Sequence, residues 1–206
     1  MDIVSNFYYT GPLVWRTKLL KEDLKKIKTL ASKSKIIDFR PHLAGHIQQE
    51  FEITNTSKLQ SIIDKYLELH HTAFDHFYNH SLEYPGPLKI KTAWVNYMKK
   101  GEVNPIHTHT GCIFSSVMFL EIPKDMTKSI KEYKGTGFGP GHLNFSISNV
   151  SEWSMDNLFF YPEVGDFFIF PWNLKHFVTP FNCKGERVSL AMNFTNETGR
   201  TCYGIK

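Results

Sequence analysis

At residue 86 the chain changes its periodicity. Beyond it, short apolar runs alternate with Gly, Pro, Asn and Asp. These runs read as strands at 88–98, 104–109, 113–121, 142–148, 158–161, 166–171, 175–179 and 187–194. About eight strands at such even spacing predict a sandwich or a barrel-like jelly roll. Before residue 86 the period is helical. Leu24, Ile27 and Leu30 share one face of a predicted helix over 21–33. Leu59, Ile62, Ile63, Tyr66, Leu69, Ala73, Phe74 and Phe77 mark a stronger helix over 57–79, with Ser57 as its expected N-cap. Tyr84-Pro-Gly-Pro87 closes the helical part. A helix with one apolar stripe must bury it elsewhere, so it is expected to pack on the sheet. The expected fold is α+β, one domain over 1–206, with a helical support (1–86) and a barrel core (87–200).

Composition narrows the function class. Seventeen Phe and nine Tyr can fill a core, so the chain is expected to fold throughout. The net charge of +4 is mild. Its densest basic group (Lys18, Lys21, Lys25, Lys26, Lys28) falls on the first helix and reads as a solvated face, so no nucleic-acid surface is expected. No run of about 18 apolar residues exists, and the first residues lack a basic-then-apolar leader. Cys112, Cys183 and Cys202 are odd in number and far apart, which fits neither a disulfide framework nor a zinc pattern. A cytoplasmic setting follows as the expectation. The sequence is compatible with a homodimer.

Three features of the β-rich half carry chemistry. In Gly101-x5-His107-Thr-His109 the two imidazoles sit at i and i+2, so on a strand they face one space and can share a metal. In Gly165-Asp-Phe-Phe-Ile-Phe-Pro171-Trp-Asn-Leu-Lys-His176 a buried strand turns and opens the next strand with a histidine. Three protein ligands on one face leave the remaining positions of an octahedral ion open. In Arg187-Val-Ser189-Leu-Ala-Met-Asn193 alternation puts Arg187, Ser189, Ala191 and Asn193 on the inward row. A buried arginine costs several kcal/mol (about 2–5) unless an anion meets it, and a bidentate carboxylate is its natural partner. Taken singly, each feature has an ordinary counterpart: surface histidines, a lone histidine after a turn, an edge-strand cation. Their order along the chain favours a metal site with a carboxylate ligand.

That order, HxH, then GDFFIFPWNLKHFV, then ERVSLAMNF, resembles the double-stranded β-helix of the Fe(II)- and 2-oxoglutarate-dependent oxygenases. It is most similar to a family of such oxygenases from bacteria and phages, over roughly residues 88–195. The resemblance implies an oxygenase, most simply a hydroxylase, using Fe(II), 2-oxoglutarate and O2. His107 and His176 match the family's two iron-binding histidines, and Arg187 the arginine that binds the distal carboxylate of 2-oxoglutarate. It further implies that Ser189 shares that contact, that Tyr97 touches the cosubstrate, and that Asn104 and Ser115 flank it. Phe119, Phe168 and Phe170 line or support the pocket, or are plain core. The third position of the usual motif is Asp or Glu, and here it is His109. His109 is either a third ligand or a neighbour of the other two, with water or another residue completing the site, or the site holds metal without turnover. Two other functions stay open: a cupin-like three-histidine metalloenzyme without 2-oxoglutarate, and a non-catalytic jelly-roll binding module. The prime substrate is open between a protein residue, such as prolyl, a small metabolite and a nucleobase.

The remaining histidines carry weaker signals. His70, His71, His76 and His80 lie on or just after the long helix and read as a solvated or core-edge face. His42 and His46 flank a polar segment, read as an ordinary connection or a loop over the barrel mouth. His142 follows a Gly-rich run expected to form a mobile loop near the site. Cys112 reads as a small buried residue.

Overall fold

A computed structural model describes residues 11–34, 36–147 and 155–198; Cys202 lies outside them. The elements in chain order are β1 (Trp15–Lys18), α1 (Lys21–Lys33), β2 (Glu50–Glu52), α2 (Thr56–Phe77), β3 (Leu88–Met98), β4 (Asn104–His107), β5 (Phe114–Glu121), α3 (Met126–Glu132), β6 (Leu143–Ser146), β7 (Asn157–Phe160), β8 (Asp166–Pro171), β9 (Lys175–Val178) and β10 (Arg187–Asn196). A single turn of 3-10 helix at Arg40–His42 precedes β2. The strands form a six-stranded sheet, β1-β8-β5-β10-β3-β2, and a four-stranded sheet, β4-β9-β6-β7. All pairings are antiparallel. This is the two-sheet arrangement of the double-stranded β-helix.

Alternation along the strands explains the layers. Phe167 and Ile169 of β8, Val188, Leu190, Met192 and Phe194 of β10, and Val95 and Tyr97 of β3 join one core with Ile27, Ile63, Tyr66 and Phe74 of the helices. The opposite parity, Phe168 and Phe170 of β8, Phe119 of β5 and Met98 of β3, joins a second core with Leu143, Phe145 and Val178 of the smaller sheet. The centre of the larger sheet is thus buried on both faces, by helices outside and by the smaller sheet inside.

The predicted helix 21–33 coincides with α1. The long helix begins a residue earlier than expected, because Asn55, not Ser57, is its cap: the Asn55 side chain accepts from the Lys58 backbone N–H at 3.2 Å. Two short strands and α3 carried too little pattern to be seen. Strand β1 is the four residues WRTK, and β2 is three residues with two glutamates. Both are specified by tertiary pairing, with β8 and β3 respectively. At the β1–β8 edge, Arg16 holds the fully buried Asp166 bidentately at 2.9 and 3.1 Å, and Lys18 adds a contact at 2.9 Å. Among the described residues no helix is long and apolar enough to cross a membrane.

His70 departs from the sequence reading: it is fully buried. Its ring packs edge-on against Phe114 (4.9 Å) and Trp15 (5.6 Å), and Nδ1 lies 3.1 Å from the Tyr84 hydroxyl. Burial lowers its pKa to about 4. The unfolded chain protonates His70 near pH 6.5, whereas the folded chain resists until about pH 4. Its contribution is therefore whole above pH ~6.5 and lost as pH falls towards ~4, an effect on the order of 3 kcal/mol. Urea-unfolding free energies measured across this window are expected to fall less steeply in His70→Leu than in the native chain; parallel slopes would contradict this assignment.

Candidate metal centre and its cavity

The first histidine closes β4, opposite His176 of β9 in the antiparallel register. His109 lies two residues beyond the strand, so the pleat alone does not aim it. Its backbone N–H donates to the Trp172 carbonyl at 3.0 Å. The turn after Pro171 therefore does two things: it anchors His109 and it starts β9, which presents His176. Two glycines in the left-handed region shape the approaches, Gly101 (φ +79°) before β4 and Gly165 (φ +87°) before β8. There a side chain would be strained.

One ring nitrogen from each of His107, His109 and His176 lies within 4.8 Å of the others. His107 donates Nδ1–H to the Pro105 carbonyl (2.7 Å), and His176 donates Nδ1–H to the Leu174 carbonyl (2.9 Å). A carbonyl can only accept, so both rings keep a bare Nε2 lone pair, the form a metal binds. The Nε2 atoms of His109 and His176 are 3.2 Å apart. Two nitrogens each ~2.1 Å from one ion and at right angles would stand about 3.0 Å apart. Burial lowers the pKa of all three, that of His109 to about 3, with the neighbouring imidazoles adding to the effect on His109 and His176. All three are neutral near pH 7. The donor set fits a divalent ion, and among the described residues no carboxylate joins it.

Arg187 is the other residue that the sequence singles out. It opens the inward row of β10, opposite Met98, and is 2% exposed. Its guanidinium sits over the Phe119 ring at 5.3 Å, and one Nη donates to the Gly141 carbonyl at a long 3.4 Å. Nε has no partner, and among the described residues no carboxylate pairs with it. Burial lowers its pKa to about 10, so it stays charged. A buried, unpaired cation is costly and calls for an anion.

The predicted flanking residues divide. The inward row continues through Ser189, whose hydroxyl accepts from Asn96 Nδ2 at 3.5 Å. Ser115 donates to Asn193 Oδ1 at 3.0 Å on the neighbouring strand. Asn104 lines the cavity beside His107, with its Oδ1 buried and unpartnered. Tyr97 is a correction. It has the outward parity of β3, packs in the helix-side core, and donates its hydroxyl to the Ala31 carbonyl at 3.1 Å. It faces away from the histidines. Phe119 supports Arg187, Phe170 lies 4.7 Å from the His176 ring, and Phe168 belongs to the same inner core.

An open cavity of about 530 Å³ leads to His107 and His109. Its walls include Trp94, whose ring lies 5.8 Å from His109, and Asn193. Phe39, His42 and Gly45 of the loop before β2 also line it. His46 instead pairs through its backbone with Val103. Glu50 also lines the cavity, and sequence reasoning missed it, since a glutamate in a three-residue strand carries no pattern. The Gly-rich run before His142 does not line this cavity. His142 stacks on Phe159 at 5.4 Å, and Gly141 touches Arg187 instead. Cys112 is fully buried.

Comparison with known proteins gives a consistent result. Residues 92–193 match a family model described as "Putative 2OG-Fe(II) oxygenase". No curated protein sequence matches the chain. Among solved structures, a Pseudomonas putida prolyl-4-hydroxylase is similar at 12% identity and TM-score 0.55, over 89% of this chain and 92% of that one. The viral collagen prolyl hydroxylase of Paramecium Bursaria Chlorella virus-1 is similar at 13% identity and TM-score 0.53, over 89% and 96%. HygX from Streptomyces hygroscopicus, with nickel and 2-oxoglutarate bound, is similar at 10% identity and TM-score 0.55, over 91% and 84%. At these identities the structures show the jelly-roll fold.

Calorimetric titration of metal-free protein with Ni(II) is expected to give one ion per chain. His107→Ala and His176→Ala are each expected to weaken binding by more than the ~10–100-fold that loss of a hydrogen-bonded support costs. Undiminished affinity in either variant would remove that histidine from the centre.

Proposed function

The chain belongs to the Fe(II)- and 2-oxoglutarate-dependent oxygenases, oxidoreductases that use Fe(II), 2-oxoglutarate and O2, and on that premise we propose that it hydroxylates a carbon presented at the cavity mouth. His107, His109 and His176 would hold the iron. Bound there, Fe(II) supplies the activation of O2, with 2-oxoglutarate oxidised to succinate and CO2. Everything else is work for this chain's own side chains.

Arg187 binds the distal carboxylate of 2-oxoglutarate, with Ser189 beside it on the inward row. Its burial, unpaired and over Phe119, is the observation that carries this reading. A cupin-like metalloenzyme without 2-oxoglutarate has no need of such a cation there, and a non-catalytic binding module is told apart by its metal content. The neutral Nε2 atoms, fixed by the Pro105 and Leu174 carbonyls, keep the donor set ready without proton release. His109 in place of a carboxylate leaves the centre one charge more positive, which suits an anionic cosubstrate. Phe119 and Phe170 keep water from the inner end. Asn104 and Trp94 border the space between the histidines and the mouth. A prolyl or other protein residue is the substrate class placed first, because two structural neighbours are named prolyl hydroxylases. The cytoplasm is the compartment that the scattered cysteines fit.

Calorimetry of 2-oxoglutarate added to the Ni(II)-loaded protein tests the role of Arg187. Truncation of a buried charge partner costs 2–5 kcal/mol, so Arg187→Ala is expected to weaken binding by at least ~30-fold. Equal affinity in the variant, or no binding to the native protein, would overturn the reading.

A further inference from the structure

We propose that Glu50 anchors a cationic nitrogen, an ammonium or a guanidinium, on the prime substrate. The inference rests on the oxygenase reading and names the chemistry its substrate must carry. Glu50 opens β2 beside Asn96, its register partner on β3, and lines the cavity that also reaches His107 and His109. The residue is 1% exposed. Among the described residues no hydrogen bond or ion pair reaches its carboxylate, and Oε2 is buried without a partner.

The cations nearby are committed elsewhere. Arg40 is held by Asp38, with Nε at 2.8 and 3.0 Å from the two carboxylate oxygens. Lys91, on the cavity wall, donates Nζ to the Gly111 carbonyl at 2.7 Å. Arg187, the one buried cation among the described residues, makes no ion pair with Glu50. The interior therefore holds a buried cation and a buried carboxyl group that do not satisfy each other. Arg187 awaits an anion, and Glu50 awaits a cation. Burial of an unpaired carboxylate is as unfavourable as that of the arginine. Burial and the charge of Glu102 raise the Glu50 pKa to about 7.

The surroundings select donors. Asn104 Oδ1 and Asn96 Oδ1 are further buried acceptors without partners. An amide can turn to offer its N–H, and a carboxyl can donate while neutral; a cationic nitrogen beside Glu50 favours its ionised form, which only accepts. Gly45, which also lines the cavity, leaves room beside the carboxylate: a Cβ there would stand 3.0 Å from Oε1.

The test uses protein loaded with Zn(II) and 2-oxoglutarate, with butylammonium and butylguanidinium as probes and neutral butylurea as the isostere. Dissociation constants are read by ligand-observed NMR. The cations are expected to bind at least ~10-fold tighter than butylurea, and Glu50→Gln is expected to abolish that preference while leaving 2-oxoglutarate affinity unchanged. Equal binding of butylurea, a preference that survives in Glu50→Gln, or no binding of either cation would overturn the proposal. Failure of the metal-loaded protein to take up 2-oxoglutarate would instead overturn the oxygenase reading, and the cation comparison on that same protein would still decide the role of Glu50.

Discussion

The central strands of the larger sheet, β5, β8 and β10, are buried on both faces, so each must serve two cores with its two parities. In β10, Val188, Leu190, Met192 and Phe194 face the helices, and Arg187, Ser189, Ala191 and Asn193 face the barrel interior. A slip by one residue would carry Arg187 into the apolar helix-side core. The register of β10 between β3 and β5 therefore fixes the position of the buried cation. The same parity rule in β8 puts Phe170 against His176 and Phe167 against Tyr66. Site and core are specified by one constraint.

Much of this was legible from residue types and spacing. The inward row of β10 follows from alternation, and the three histidines from HxH and the Pro171 turn. What could not be read depended on partners distant in sequence. Tyr97 sits ten residues before His107, yet position along the chain does not decide which face of β3 it occupies. The Ala31 carbonyl on α1, which accepts from the Tyr97 hydroxyl, does. His70 looked like one of several helix histidines until Tyr84 and Phe114 closed over it. Strand β2, and with it Glu50, exists because β3 pairs with it. His109 reached the cluster through a hydrogen bond to Trp172 and not through strand pleating.

Charge organises the interior. Three imidazoles held neutral by burial contribute donors without charge. Arg187 supplies a buried positive group, and Glu50 a separate acidic one on the cavity wall. Such unpaired groups destabilise the empty protein and are offset when ligands arrive. Metal, 2-oxoglutarate and substrate are each expected to stabilise the fold by mass action.

The central claim, that 2-oxoglutarate chelates an iron held by these histidines, is tested most directly by visible absorbance under anaerobic conditions. Titration of the Fe(II)-loaded protein with 2-oxoglutarate is predicted to raise a charge-transfer band that saturates at one cosubstrate per iron. A protein with a full complement of iron and no such band would contradict the claim.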